Sequence, residues 1–475
     1  MGRKRRLLGP AIPFEEAPIE SDGIRPVGAH GGKCDTLSCS RVPLNQIASA
    51  VKCNIQLKIV VYVDSCYILA MLHRLEIANF YSVREPQVVD LRVAGHAPPE
   101  PGRTAPLWAK APDRAPKVVV LFGANASGKS NVLKALSFLS WFVRESFRAA
   151  PESWMPYQRF NDEKARELPT HLAVHFAGPA DLQRATDPNV AQCRYAYEVS
   201  LGGPGNQPPR VLSEVLRYWP PHAGRQVRLF ERNEKGAVSA GKEFGLSGFR
   251  QALEKVLRPN ASVVSTLAQL KHPLATLLWQ TAGLIQSNIL IEKQEINDDT
   301  IARFYAANPK QLELLNKDIQ RIDLGVRSMS VQQGTNGPIA WFEHRGLATP
   351  LPVHLESHGT RLFVRIFPLL NQALERGGVA VVDELDLAIH PLVLPEILRW
   401  FHDSERNPHD AQLWMTCNNA SLLEDLVKEE ILFCEKDDLG RTSVYSLRDV
   451  QAVRRNDNYY RKYLGGVYGA VPHLG

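Results

Sequence analysis

The feature that most constrains this chain is a glycine-rich octet, Gly123-Ala-Asn-Ala-Ser-Gly128-Lys129-Ser130, which matches the phosphate-binding loop pattern GxxxxGK[ST]. An apolar run, VVVLF, precedes the octet, and a segment with one apolar helical face, NVLKALSFL, follows it. This order predicts a buried strand, a tight loop and a helix in direct succession. The chain is therefore expected to have an α/β fold in which a helix N-terminus faces a bound anion.

Each residue type in the octet has a physical role in phosphate binding. The glycines allow a tight turn that points successive backbone N–H groups at the β-phosphate. Lys129 adds a positive charge across the β- and γ-phosphates, and the Ser130 hydroxyl can ligate Mg²⁺. We therefore expect ATP and Mg²⁺ as cofactors, bound at Gly123, Ala124, Asn125, Ala126, Ser127, Gly128, Lys129, Ser130 and Asn131.

A second apolar run, VAVV at 379–382, ends in two adjacent carboxylates, Asp383 and Glu384. An Asp at the carboxyl end of a buried strand can hold Mg²⁺, and the adjacent Glu can act as the general base for an attacking water. A core strand followed by surface acids is common, so this pattern alone is a weak signal. Together with the octet, it predicts a Walker B motif with Asp383 as a metal ligand and Glu384 as the base.

The spacing of the motifs indicates the class of P-loop protein. Asp383 lies 254 residues after Lys129, which requires a large insertion between them. A Ser-x-Gly turn, Ser357-His-Gly359-Thr360, precedes the helical segment RLFVRIFPLL. Such a turn offers a hydroxyl, a bare backbone and a helix N-terminus to a γ-phosphate, and in the ABC class it contacts the nucleotide held by the opposite subunit. The alternative is a simple N-cap that only starts a helix.

Strand–helix alternation at both ends of the chain brackets a middle segment rich in alternating, strand-like runs. This predicts a mainly parallel α/β sheet split by an inserted α+β region, with an additional antiparallel β subdomain. The expected boundaries are 71–150 and 346–475 for the two halves of the ATPase head and 151–345 for the insertion. Residues 1–70 are expected to be a poorly ordered extension, or translation begins at Met71; the sequence leaves both open.

Composition excludes several classes of protein. The hydrophobic and charged fractions, 44% and 22%, are ordinary for a soluble globular chain. A net charge of +6 permits contact with nucleic acid but does not by itself indicate it. Seven scattered cysteines without a CxxC pair predict reduced thiols rather than disulfides or zinc. Prolines and acids interrupt the N-terminal apolar stretch, so we expect no export signal, no membrane span and a cytoplasmic location.

From about Leu72 onward the chain resembles bacterial AAA-type ATPases of the ABC/SMC/RecF-like superfamily. The resemblance is carried by LEIANFYSVREPQVVDL, FGANASGKSNVLKAL, ESHGTRLF, VVDELDLAIHP and the tail FCEKDDLGRTSVYSLRDV…YRKYLGGVYGAVP. It includes the ATPase half of OLD-family nucleases and the ATPase subunits of anti-phage systems such as PARIS, Septu and retron-linked modules. The resemblance implies an ABC/SMC-type P-loop ATPase head that closes around Mg-ATP in a head-to-tail dimer.

The resemblance also implies roles for individual residues. Asp386 corresponds to the D-loop carboxylate that reaches across the dimer. Asn418 stands where these ATPases often carry a His that contacts the γ-phosphate; an amide can donate a hydrogen bond but cannot carry charge, so we expect slow hydrolysis. Gln158, in MPYQRF, is a candidate Q-loop residue that senses Mg²⁺, or simply a polar residue of a surface loop.

The leading functional prediction is an ATP-binding and ATP-hydrolysing switch subunit in anti-phage defence. We expect it to act as a homodimer or higher oligomer with a separate effector, a nuclease or a toxin. One alternative is a RecF-like repair or recombination ATPase that clamps DNA, which a contiguous Lys/Arg surface would favour. A transporter nucleotide-binding subunit is the third alternative, and the 254-residue spacing argues against it.

Overall fold

The computed structural model describes residues 71–95, 100–185, 187, 189–293, 296–322, 325–387 and 389–472 of the 475-residue chain. The two alternatives for residues 1–70 fall outside these ranges. Within them, no helix is both long enough and apolar enough to cross a membrane.

Eighteen β-strands lie in the described part of the chain. Several, such as VVVLF and QLWMT, are buried along their whole length, as expected for strands covered on both faces. In chain order the strands are β1 (Leu72–Ala78), β2 (Gln87–Asp90), β3 (Thr104–Pro106), β4 (Arg114–Pro116), β5 (Val118–Phe122), β6 (Thr170–Pro179), β7 (Gln192–Gly202), β8 (Arg210–Tyr218), β9 (Val227–Arg232), β10 (Val238–Ala240), β11 (Ile285–Ser287), β12 (Val326–Gly334), β13 (Gly337–His344), β14 (Leu351–Pro352), β15 (Val379–Val382), β16 (Gln412–Thr416), β17 (Ile431–Lys436) and β18 (Thr442–Ser446).

Nine α-helices accompany these strands in the described residues. The longest, at 358–376, has a Ser N-cap and ends at Gly377, whose φ of 70° is the left-handed conformation that favours glycine at a helix end. In chain order the helices are α1 (Lys129–Glu145), α2 (Arg250–Val256), α3 (Val263–Gln269), α4 (Pro273–Ala282), α5 (Asp298–Ala307), α6 (Pro309–Ile322), α7 (His358–Arg376), α8 (Leu394–His402) and α9 (Tyr459–Leu464).

A six-stranded sheet with the order β11-β15-β16-β5-β17-β18 contains the predicted motif strands. All neighbouring pairs are parallel except β17 and β18, which form an antiparallel hairpin at one edge. The predicted mainly parallel sheet is therefore confirmed. Because parallel strands end at the same edge, the loops after β5, β15 and β16 lie side by side.

A seven-stranded antiparallel sheet with the order β10-β9-β8-β7-β6-β1-β2 forms the second layer. Its strands come from the start of the described chain and from the segment between α1 and α2, so the two sheets are interleaved in sequence. The predicted antiparallel β subdomain is confirmed. A three-stranded sheet, β12-β13-β14, and a two-stranded sheet, β3-β4, complete the architecture.

Alternate residues of β5 enter two different hydrophobic cores, as the two-residue period of a strand requires. Val119 and Leu121 pack in the core shared with α1 and the antiparallel sheet. Val118, Val120 and Phe122 pack in the core shared with α7 and α8. The strand that leads into the glycine-rich loop is thus fixed from both faces.

One buried side chain joins the two large sheets. Gln412, at the start of β16, accepts a hydrogen bond from the Leu72 backbone N–H at 2.8 Å. Its amide nitrogen donates to the carbonyl oxygens of Leu72 and Pro116, both at 3.0 Å. Gln412 is 1% exposed, so water cannot replace these partners if the side chain is removed.

Replacing Gln412 by Ala is therefore expected to lower the free energy of unfolding by about 1–3 kcal/mol, because buried backbone groups of β1 and β4 lose their partners. Chemical denaturation of the two proteins measures this difference. Gln333→Ala, at an exposed position of β12, is the matched control and should change stability by less than about 0.5 kcal/mol. Equal stability of both variants would contradict a role for Gln412 in joining the sheets.

Candidate nucleotide-binding site

The glycine-rich loop lies between β5 and α1, as the sequence predicts. Gly123 and Gly128 have φ angles of 148° and 103°, which side chains rarely adopt. A Cβ on Gly123 would lie 2.2 Å from the carbonyl oxygen of Cys434, and one on Gly128 would lie 2.2 Å from Thr442 Oγ1. Both glycines are therefore required by backbone conformation and by close neighbours, and the loop leaves a cradle on its open side.

Lys129 is the first residue of α1 and is buried. Its ammonium donates to the backbone carbonyl oxygens of Gly123 at 2.8 Å and Ala124 at 3.0 Å. Burial lowers the pKa of Lys129, because a desolvated ammonium is less stable than a hydrated one. A polyanion in the cradle would compensate this cation, so the loop fits a nucleotide phosphate.

The two predicted metal ligands are in direct contact although they are far apart in sequence. Ser130 Oγ donates to Asp383 Oδ1 at 2.9 Å, and Thr416 Oγ1 donates to the same oxygen at 2.8 Å. Burial raises the pKa of Asp383, while the hydrogen bonds from Thr416 and Ser130 oppose that shift. One hydroxyl and one carboxylate side by side suit Mg²⁺, which takes most of its remaining ligands from phosphates and water.

Asn288 holds the backbone of Asp383 from the neighbouring edge strand. The Asp383 N–H donates to Asn288 Oδ1 at 2.8 Å, and Asn288 Nδ2 donates to the Asp383 carbonyl oxygen at 3.1 Å. In the described residues, no cluster of three or more His, Cys, Asp or Glu side chains is arranged to bind a metal.

Glu384 sits at the turn after β15 with a φ of 55°. Its backbone N–H donates to Thr416 Oγ1 at 2.8 Å, so one threonine hydroxyl links both acids of the motif. Its carboxylate forms an ion pair with Lys293 at 3.1 Å, and 40% of the Glu384 side chain is exposed. A carboxylate that is partly exposed beside a metal site is suited to accept a proton from water.

Asp386 and Asn418 contact each other within this one chain. Asp386 Oδ2 accepts hydrogen bonds from the backbone N–H groups of Asn418 at 2.7 Å and Asn419 at 3.0 Å. Asp386 Oδ1 is buried and has no hydrogen-bond partner among the described residues. Asp386 thus holds the loop after β16, and Asn418 presents its exposed side chain beside the site. The role of Asp386 across a dimer stays a prediction.

The Ser357 turn caps α7. Ser357 Oγ accepts a hydrogen bond from the Thr360 N–H at 3.1 Å, and the Glu356 carboxylate accepts one from the Ser357 N–H at 3.3 Å. The side chain of Ser357 is exposed, and Gly359 is half-buried. Within a single chain, the Ser357 turn is therefore an N-cap. Its contact with a nucleotide bound by a second chain stays a prediction.

Gln158 has an exposed side chain, and its backbone carbonyl accepts a hydrogen bond from the Tyr81 N–H at 2.8 Å. Its predicted role as a Mg²⁺ sensor stays a prediction. Within the loop itself, Asn125 and Ala126 are exposed, whereas Ser127 is buried and its Oγ lacks a hydrogen-bond partner among the described residues.

Sequence reasoning missed a group of hydroxyls behind the loop. Thr442 Oγ1 donates to the Ser127 carbonyl at 2.8 Å and contacts Ser82 Oγ at 2.7 Å. The amide of Asn131, which was predicted to bind nucleotide, donates to Ser82 Oγ at 2.6 Å. Ser82 and Thr442 lie in two of the stretches that carry the resemblance, but the sequence assigned no role to either residue. They support the loop through the Ser127 carbonyl and the Asn131 amide.

Part of the chain matches a family of known proteins. A family model described as "AAA domain, putative AbiEii toxin, Type IV TA system" matches residues 118–172 and 246–416. The first segment contains the glycine-rich loop, and the second contains the Ser357 turn, Asp383 and Glu384. Over these two segments the chain matches an AAA-type ATPase domain.

Solved structures of SMC heads are similar to this AAA-type ATPase domain. The SMC head domain from Thermotoga maritima is 13% identical with a TM-score of 0.35, covering 79% of this chain and 98% of that one. The Smc head domain with an extended coiled coil, bound to the C-terminal domain of ScpA, from Pyrococcus furiosus, is 12% identical with a TM-score of 0.41, covering 79% and 96%. The SmcHead bound to the C-winged helix domain of ScpA is 12% identical with a TM-score of 0.39, covering 79% and 97%.

Thr442→Val is expected to weaken the binding of Mg-ATP by about fivefold, because the Ser127 carbonyl and the Ser82 hydroxyl lose a hydrogen-bond partner worth about 1 kcal/mol. Equilibrium titration with a fluorescent ATP analogue measures the affinity. Thr442→Ser keeps the hydroxyl and is the matched control, with an affinity close to wild type. If the Val and Ser variants bind equally well, the hydroxyl does not support the loop.

Proposed function

We propose that this protein binds Mg-ATP and hydrolyses it slowly. The observation that carries the proposal is the convergence of Lys129, Ser130, Asp383 and Glu384 at one edge of the parallel sheet, where Ser130 donates a direct hydrogen bond to Asp383 across 253 positions. A buried ammonium in a glycine cradle next to a hydroxyl–carboxylate pair suits a triphosphate with its metal. The AAA-type ATPase domain supports the same activity.

Each residue of the site has its own role in the proposed reaction. Backbone N–H groups of the loop and the N-terminus of α1 hold the β-phosphate, and Lys129 orients the phosphates. Ser130 and Asp383 would hold Mg²⁺, which supplies positive charge against the phosphate oxygens. Glu384 accepts the proton of the attacking water. Asn418 contributes an amide where a charged imidazole would act, so transition-state charge is stabilised less and turnover is slow.

A second copy of the chain is the proposed partner at this site. The exposed Ser357 turn is the element expected to close over the nucleotide of the other copy. Large apolar side chains beside the predicted dimer motifs are exposed: Leu355 at 62%, Leu387 at 59% and Leu392 at 82%. Exposed apolar residues clustered at motif positions favour burial in an interface. In the proposed dimer, the Ser357 turn of one copy, with Gly359 and Thr360, completes the nucleotide site of the other copy.

At the level of the cell, we propose a switch subunit in anti-phage defence that controls a separate effector, a nuclease or a toxin. The motifs of the anti-phage ATPases that this chain resembles support this role. The family description, which names a toxin of a toxin–antitoxin system, is in line with it. Slow hydrolysis suits a switch because the ATP-bound state then persists long enough to hold a partner.

Lys129→Ala should weaken ATP binding by about 100-fold, because a charge-assisted contact to the phosphates is lost. Equilibrium titration of ATP in the presence of Mg²⁺ measures the affinity. Lys317→Ala, at an exposed position of α6, is the control and should bind as wild type does. Unchanged affinity of Lys129→Ala would show that the loop does not hold the triphosphate.

Glu384→Gln should keep ATP binding, reduce hydrolysis by about 10²–10⁴-fold, and accumulate an ATP-bound dimer, because the base is removed while Ser130 and Asp383 remain. Phosphate release measures hydrolysis, and mass measurement with and without ATP measures assembly. Glu313→Gln, at an exposed position of α6, is the control. A wild-type rate in Glu384→Gln would exclude Glu384 as the base, and a monomer under all conditions would exclude the dimer.

A further inference from the structure

Lys293 lies at the catalytic edge of the sheet although it belongs to no motif. Its ammonium is 3.1 Å from Glu384 Oε2, and 32% of its side chain is exposed. The same ammonium is close enough to Asp383 to lower the pKa of that carboxyl, although burial of Asp383 dominates. Lys293 therefore faces both acids of the Walker B motif.

Hydrogen bonds hold the backbone segment that leads to Lys293 against two other elements of the site. β11 pairs in parallel with β15, the strand that ends at Asp383. Directly after β11, Asn288 exchanges two hydrogen bonds with the Asp383 backbone. Ser137 of α1 donates to Ser287 Oγ at 2.7 Å, which ties the end of β11 to the helix of the glycine-rich loop.

A tight turn then returns Lys293 to the site. Residues Ile289 and Lys293 form an antiparallel bridge, and the Leu290 N–H donates to the Glu292 carbonyl at 3.3 Å. The fixed strand and the bridged turn determine where the Lys293 backbone lies. Its long side chain keeps the freedom to move its ammonium by a few ångströms.

The other charged and polar groups near the site leave the Lys293 ammonium as the candidate for a contact with the ligand. Lys129 is held by two loop carbonyls, and the Lys134 ammonium lies over the Tyr81 ring at 4.6 Å. Asn418, beside the site, is neutral. Lys293 is paired instead with Glu384, the residue that must be free to receive a proton. An ammonium in this position can leave the Glu384 carboxylate and pair with a phosphate group, which carries a higher charge.

We propose that Lys293 is a γ-phosphate-contacting residue that senses the difference between ATP and ADP. In the nucleotide-free chain it neutralises Glu384. When ATP binds, the Lys293 ammonium moves to the γ-phosphate and leaves Glu384 free to accept the proton of water. ADP lacks that phosphate group, so Lys293 stays paired with Glu384. This inference rests on the proposed function, since it requires the triphosphate site described above.

The test compares affinities for a non-hydrolysable ATP analogue and for ADP, both with Mg²⁺, in the full chain. Lys293→Gln should lose about tenfold in affinity for the ATP analogue and less than about twofold for ADP, as expected for one charge-assisted contact to the γ-phosphate. Lys293→Arg keeps the charge and should restore most of the discrimination. Lys317→Gln, which removes a remote surface lysine paired with Glu313, is the control and should match wild type for both nucleotides.

A second comparison separates direct contact from an effect through Glu384. In a Glu384→Gln background, Lys293→Gln should still cost about tenfold in affinity for the ATP analogue, because the partner lost is the phosphate. If the effect disappears in that background, or if both nucleotides lose affinity equally, Lys293 does not contact the γ-phosphate. A wild-type chain that binds neither nucleotide would overturn the proposed function and this inference together. If the wild-type chain binds both nucleotides and Lys293→Gln binds them with the same affinities, the inference alone is overturned.

Discussion

The candidate nucleotide site depends on the parallel pairing of β5 between β16 and β17. This pairing aligns the carboxyl ends of strands that are separated by hundreds of residues and brings the loops after β5, β15 and β16 to one edge. The hydrogen bonds from Ser130 and Thr416 to one oxygen of Asp383 form only in this strand order. Each motif provides a chemical group, and the sheet determines the distances between these groups.

The parts of this arrangement that could be predicted are those encoded in short stretches. The glycine-rich loop, its flanking strand and helix, and the acids after VAVV each carry a local pattern that requires no knowledge of distant residues. Parallel pairing then follows from the alternation of strands and helices, because consecutive parallel strands need a crossover. Hence the strand–loop–helix unit and the mixed architecture of the two large sheets were accessible from sequence.

Other features could not be predicted, because they depend on which distant strands become neighbours. Thr442 and Ser82 contact each other across 360 positions. Asn288 and Lys293 reach the Walker B acids from the segment that follows the three-residue edge strand β11. None of these residue types is unusual at its position in the sequence. The partners of Asp386 were likewise unpredictable: the acid binds the backbone of the loop after β16 in its own chain.

The tie between the glycine-rich loop and Thr442 has a consequence for how this protein is made. The loop is synthesised before Asp383, Thr416 and Thr442, which follow it by more than 250 residues. A nascent chain that has exposed residues 123–130 alone has the lysine and the glycines but neither the acids nor the hydroxyls that support them. The proposed nucleotide site is therefore complete only after β15, β16 and β18 have joined the sheet, so a nucleotide would stabilise the finished sheet rather than an early folding intermediate.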